Sequence, residues 1–254
     1  MSRRIIMATV LLFAAGMQTA SWAQGVKVWQ NGRSVYYELG SVDSIAFDGN
    51  RDIHGYEWVD LGLPSGTLWA TTNMGARTPD DYGNFCIWGD TGIHDYKWSD
   101  YYYCEGSENT LTKYCTDSSY GIEGFTDGLT ELLPEDDNAT VRLGSGWQMP
   151  SIAQWQELLD SNYTTTTWTS LNGYHGTLVT SNSNGKSIFL PASGHMTGTK
   201  HKSAGTLGFY WSRMLDTDSP NCACYVETSS SLISYKSAFR CYGQSIRPVR
   251  KQKE

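Results

Sequence analysis

Tyr56-Glu57-Trp58-Val59-Asp60-Leu61-Gly62-Leu63-Pro64-Ser65-Gly66-Thr67-Leu68-Trp69-Ala70 is the stretch whose reading decides the fold. Two β-prone runs, 56–61 and 67–70, flank a loop of Gly, Pro and Ser that favours a turn over continued strand. A β-hairpin is therefore expected to open the main domain. Downstream, residues 77–128 are rich in Asp, Gly, Tyr and Ser and hold no helical period. Such a length inside a folded domain reads as functional loop or as irregular structure tied down at points.

One helix is well signalled. Ser151 follows Pro150, and Gln154 three residues later completes a capping box, with Ile152, Trp155, Leu158 and Leu159 on one face. The spacing predicts a helix over 152–161. Short β-prone runs follow at 164–168, 176–180, 186–190, 209–212, 224–227 and 245–250, with Asn184-Gly185 as the turn between the second and third. Strands dominate and helices are few, so the expected class is α+β with a mostly antiparallel sheet.

Toward the N-terminus, residues 26–47 read as a short meander: a strand, the hairpin turn Asn31-Gly32, a second strand, and a third strand at 44–47. Residues 48–55 read as a linker. Ahead of these, the apolar run 5–17 follows Arg3 and Arg4 and precedes Ser21-Trp22-Ala23. Basic start, short apolar centre and small residues at the cleavage positions are the layout of a secretory signal peptide. The run is too short to span a bilayer. The expected organisation is thus a signal peptide at 1–23, a short β segment at 24–50 and one domain at 51–254. The mature chain would start at Gln24, with no lipid-anchor motif, and be secreted, periplasmic or at the cell surface.

Composition narrows the partners. The 254-residue chain has net charge −7, and loss of the two leader arginines makes it about −9, so nucleic acid is not an expected partner. Ten Trp, 16 Tyr and 26 Gly point to a folded, turn-rich protein with an aromatic core. No later stretch is long and apolar enough for a transmembrane anchor.

Six cysteines in an exported chain permit disulfides, with fifteen possible pairings. Cys104 and Cys115 flank one short polar segment, and a bridge is expected there. Cys222 and Cys224 alternate on a strand and share a face, so one of them, Cys224 in the reading adopted, is expected to meet Cys241 across neighbouring strands. Cys86 reads equally well as a buried thiol.

The blocks Tyr56 to Ala70, Asp81-Tyr82-Gly83 with Trp88-Gly89, Leu111-Thr112-Lys113-Tyr114-Cys115, Pro134-Glu135-Asp136-Asp137, Gly146-Trp147-Gln148-Met149-Pro150-Ser151, Tyr210-Trp211-Ser212 and Gly243-Gln244-Ser245-Ile246-Arg247-Pro248-Val249-Arg250 occur in this order. Together, over roughly 56–250, they resemble the Fibrobacter succinogenes major paralogous domain. That family is related to the formylglycine-generating enzyme group. The resemblance implies a C-type-lectin-like fold: a twisted antiparallel sheet, long irregular loops and one or two helices. It also implies a secreted or surface module that binds glycan or another protein.

The chemistry in the residues is sparse. Five scattered histidines include His195 and His201, which share a loop with Lys200 and Lys202, cations that repel a metal ion. The formylglycine-generating relatives use a copper-binding cysteine pair. Here only Cys222 and Cys224, with Cys241, are candidates, and Asn221-Cys222-Ala223-Cys224-Tyr225 departs from that motif. Copper-dependent oxidation is therefore the alternative to recognition. No cofactor is expected beyond a structural Ca2+ held by Asp136 and Asp137, with a solvated acidic turn as the competing reading. Trp98, Tyr101, Tyr102 and Tyr103 form the densest aromatic patch in the loop. They read as a ligand platform for a glycan or surface protein, or as anchors that pin the loop. A third reading makes the chain a subunit of a surface assembly, its N-terminal strands pairing with a neighbour.

Overall fold

The computed structural model describes residues 56–251 except Ile93, and ahead of them the strands β1 (Ala8–Thr9), β2 (Gly25–Gln30) and β3 (Arg33–Glu38). The chain divides into two compact units, residues 1–49 and 50–254. In the first, β2 pairs antiparallel with both β1 and β3. Gln30 lies opposite Arg33, the register the hairpin reading required, and Asn31 and Gly32 lie outside the described residues. The third strand expected at 44–47 lies outside the described residues.

The second unit opens on the expected hairpin, β4 (Trp58–Asp60) against β5 (Thr67–Ala70). β5 is buried along its whole length because a third strand, β14 (Val249–Lys251), covers its other edge, with Val249 opposite Trp69. Helix α1 (Asn138–Leu143) comes next and was not anticipated. Helix α2 (Ile152–Leu158) begins where the capping box places it. The Ser151 hydroxyl accepts from the Gln154 amide, and the Gln154 side chain accepts from the Ser151 amide. It ends three residues before the expected stop.

Two more three-stranded sheets follow, both antiparallel. β6 (Thr164–Leu171), β7 (Tyr174–Ser181) and β8 (Ser187–Pro191) form one, with the Asn184-Gly185 turn joining β7 to β8. After a small hairpin of β9 (His195–Thr197) and β10 (Lys200–Lys202), the other contains β11 (Gly208–Leu215), β12 (Cys222–Thr228) and β13 (Ile233–Phe239). The class is α+β with antiparallel sheets, as expected. Between β5 and α1 the chain is irregular, with short 3-10 turns at Trp98–Asp100 and Ile122–Gly124.

The blocks singled out in the sequence meet one another in the core. Gln148 pairs with Val249, and Met74 donates to the Ile246 carbonyl. The Trp88 indole donates to the Ser212 carbonyl and the Trp211 indole to the Cys86 carbonyl, both at 2.8 Å. Arg247 is wholly buried without a carboxylate on its guanidinium. Its nitrogens donate to Asn73 Oδ1, Ala70 O and Phe189 O, so one side chain ties the opening hairpin to β8. Buried polar groups are tolerated when so paired. Tryptophan, arginine and glycine in these blocks are thus structural members.

Candidate functional site

The aromatic patch turns mostly inward. Tyr101 is 2% exposed, and its hydroxyl donates to the Trp88 carbonyl. Trp98 is half-buried, edge-on to Tyr101 at 5.5 Å and to Phe239 at 5.8 Å. Tyr103 is half-buried and donates its hydroxyl to Asp136. Only Tyr102, 70% exposed, faces solvent. Three of these four rings therefore anchor the loop, and no continuous aromatic face is offered to a ligand.

Asp136 and Asp137 are buried rather than solvated. Asp136 accepts from Tyr103, from Tyr114 at 2.5 Å and from the Lys113 ammonium at 2.5 Å. Asp137 is the N-cap of α1: one oxygen accepts from the Ala139 and Thr140 amides and the other from Met149. Burial pushes the Asp137 carboxyl above the usual carboxylate range, and its three backbone hydrogen bonds oppose that shift. A calcium ion needs six or more oxygen ligands, whereas these oxygens face the protein's own donors. Among the described residues no group of three or more His, Cys, Asp or Glu side chains is placed to hold a metal ion.

All six cysteines are free thiols. Cys104 and Cys115 are not bridged because their sulfurs face different partners: Cys104 donates to the Trp98 carbonyl at 3.2 Å, Cys115 to the Asp117 carbonyl at 3.1 Å. Cys224 lies opposite Ser237, whereas Cys241 sits four residues further on, in the turn after β13. Cys222 and Cys224 do share a face of β12, and burial raises each thiol to about 11.

A cleft of about 330 Å3 lies beside this loop, lined by Gly83, Asn84, Phe85, Ile87, Gly92, His94, Tyr96 and Arg142. Its walls are built by the same packing. Gly83 has φ +71, and a Cβ there would lie 2.4 Å from the Met74 carbonyl, so the turn into Asn84 and Phe85 requires glycine. The Tyr96 hydroxyl donates to the Phe85 carbonyl at 3.2 Å, locking two aromatic walls together. Phe85 packs edge-on against His201 at 5.0 Å, and the His201 ring is held by the Ser193 carbonyl at 2.7 Å.

The other side is set by α1. Asn138 donates to the Asp90 carbonyl, and Arg142, one turn on, reaches the Thr91 carbonyl at 3.0 Å and the rim of the cleft. Buried Asp90 accepts from the Gly92 and Tyr102 amides and lies 3.4 Å from His94. The lining therefore combines two aromatic walls, a neutral amide, an imidazole and a guanidinium. Among the described residues no Ser, Thr, Cys or Lys side chain lines it. Volume and mixture suit binding of a small polar ligand.

This cleft was missed in the sequence because its residues come from separate loops. The indirect signal was the pair of turn blocks that bracket it, Asp81-Tyr82-Gly83 and Trp88-Gly89. No family model, curated protein or solved structure matches the chain. Among the described residues no helix is long and apolar enough to cross a membrane.

Proposed function

We propose that this chain is an exported recognition module of the Fibrobacter succinogenes major paralogous type, on a C-type-lectin-like scaffold, that binds an acidic glycan at the cell exterior. The observation that carries the reading is the cleft between Asn84, Phe85, Tyr96, His94 and Arg142. Aromatic faces pack against the C–H face of a sugar ring. Asn84 and His94 supply hydrogen bonds to hydroxyls, and the exposed guanidinium of Arg142 matches a carboxylate with paired donors.

The test is a glycan array probed with residues 24–254 and with the variants Arg142→Ala, Asn84→Ala and Tyr102→Ala. Selective binding to uronic-acid-bearing glycans, weakened at least tenfold by Arg142→Ala and Asn84→Ala and unchanged by Tyr102→Ala, is the expected result. No glycan bound, or loss confined to Tyr102→Ala, overturns it.

A further inference from the structure

Strand β6 lies at the edge of its sheet, which runs in the order β6, β7, β8, so only one side of β6 is paired. The ladder decides which backbone groups face outward. Ser181 donates to the Lys186 carbonyl and Ala192 to the His175 carbonyl, so the odd-numbered residues of β7 bond toward β8. Its even-numbered residues therefore bond toward β6, where the register sets Thr180, Leu178 and Gly176 opposite Thr165, Thr167 and Thr169. The Asn182 amide, which donates to the Tyr163 carbonyl, continues the same alternation. The N–H and C=O of Thr166, Trp168 and Ser170 consequently point away from the sheet. Among the described residues no backbone hydrogen bond reaches them.

Soluble proteins blunt such an edge with a lysine, a proline or a bulge. β13, at the edge of its own sheet, carries Lys236, paired with Glu227 at 2.7 Å. β6 has none of these devices. Thr164-Thr165-Thr166-Thr167-Trp168-Thr169-Ser170-Leu171 holds no charge and no proline, and its register with β7 is unbroken from end to end. Threonine and tryptophan favour the extended state, so a bare strand of this kind is a template for another.

The strand is also complementary to itself. Turned antiparallel with Thr167 opposite its own copy, it sets Thr166 opposite Trp168, so that their outward groups exchange hydrogen bonds. Thr165 then meets Thr169, and Tyr163 meets Leu171. Tyr163 and Leu171 are 38% and 36% exposed, and across such a join each covers the other. Each copy carries net charge −7, yet the paired strands bring no charged side chain into the join. Two-fold pairing uses the free edge of β6 in both copies and closes at two.

We propose that β6 pairs with β6 of a second copy, joining two three-stranded sheets into one antiparallel sheet and making the protein a two-fold dimer. This interface does not depend on what the cleft binds.

The test is light scattering on the eluting chain under reducing conditions, which removes disulfide-linked species, together with hydrogen exchange read at single amides. The expected result is a particle of twice the chain mass at micromolar concentration. Exchange at Thr166, Trp168 and Ser170 should then rise about tenfold or more on dilution to monomer. Thr166→Pro deletes an outward donor while sparing the β6–β7 ladder, so it should give a folded monomer. Thr167 is exposed, and Thr167→Lys or Thr167→Glu sets like charges opposite each other in the pair. Each should be monomeric alone, and a mixture of the two should restore the dimer. If Thr166→Pro does not fold, the mixture decides. A wild-type monomer at every concentration, a dimer that both Thr167 variants retain, or an open series of larger species overturns the proposal.

Discussion

Replacing Asp137 by alanine removes a carboxylate that holds three backbone amides, two of them buried. Its Oδ1 accepts from Ala139 at 2.8 Å and Thr140 at 3.1 Å, and its Oδ2 from Met149 at 2.8 Å. Loss of an N-cap costs about 1–2 kcal/mol. The Met149 amide, left buried without an acceptor, adds about 1–3 kcal/mol. Relief of the carboxylate's own burial returns part of this, so a net loss of about 3 kcal/mol is expected. For a domain of this size that is about 6–12 °C in melting temperature. Asp137→Asn should lose less, because an amide oxygen still caps Ala139 and Thr140 while its NH2 faces the Met149 amide. The pH dependence has a definite sign. Because burial raises the folded-state value above the unfolded one, wild-type stability declines as pH rises from the unfolded to the folded value, and Asp137→Asn lacks that slope. Urea melts of the three proteins, with and without 5 mM Ca2+ (about that level suffices), provide the assay. A loss below about 0.5 kcal/mol in Asp137→Ala would refute the capping argument. So would a wild-type melt shifted upward by calcium and a variant melt that is not.

Two further outcomes follow from the aromatic loop. Trp98→Ala should cost about 2–3 kcal/mol, less than a fully buried tryptophan, and Tyr102→Ala less than about 0.5 kcal/mol in the same urea melts. Equal effects would contradict the inward orientation. Burial pushes the Tyr101 hydroxyl well above 10, so above pH 10 the unfolded chain ionises first and stability falls by up to about 1.4 kcal/mol per pH unit from this group. Tyr101→Phe should flatten the urea-midpoint profile between pH 10 and 11, and an unchanged profile would show the hydroxyl to be solvated.

The parts of the fold that were legible rest on local chemistry. Asn184-Gly185 marks a turn through the positive φ of Gly185, and Ser151 with Gln154 specifies a helix start through reciprocal capping. Helix α1 escaped because it is six residues long and contains Thr140 and Val141, so its only strong signal is Asp137, which reads equally well as part of an acidic turn. Strands β10 and β13 escaped because Lys200-His201-Lys202 and Tyr235-Lys236-Ser237 are exposed, with no apolar alternation to betray them. The site was less legible. Residue types in Trp98 to Tyr103 announce anchors or a platform, but direction is decided by neighbours distant in sequence: Phe239 for Trp98 and Asp136 for Tyr103. Sulfur placement has the same dependence, since strand register, not spacing, puts Cys224 opposite Ser237.

The central claim is that the tryptophan, glycine and arginine blocks form the scaffold and that recognition lies in the cleft they support. Amide chemical-shift mapping of the 24–254 protein with a uronic-acid oligosaccharide tests this most directly. The account predicts saturable shifts at Asn84, Phe85, Gly92, His94, Tyr96 and Arg142. Shifts centred on Tyr102, or on Cys222 and Cys224, or no shifts at millimolar sugar, would contradict it.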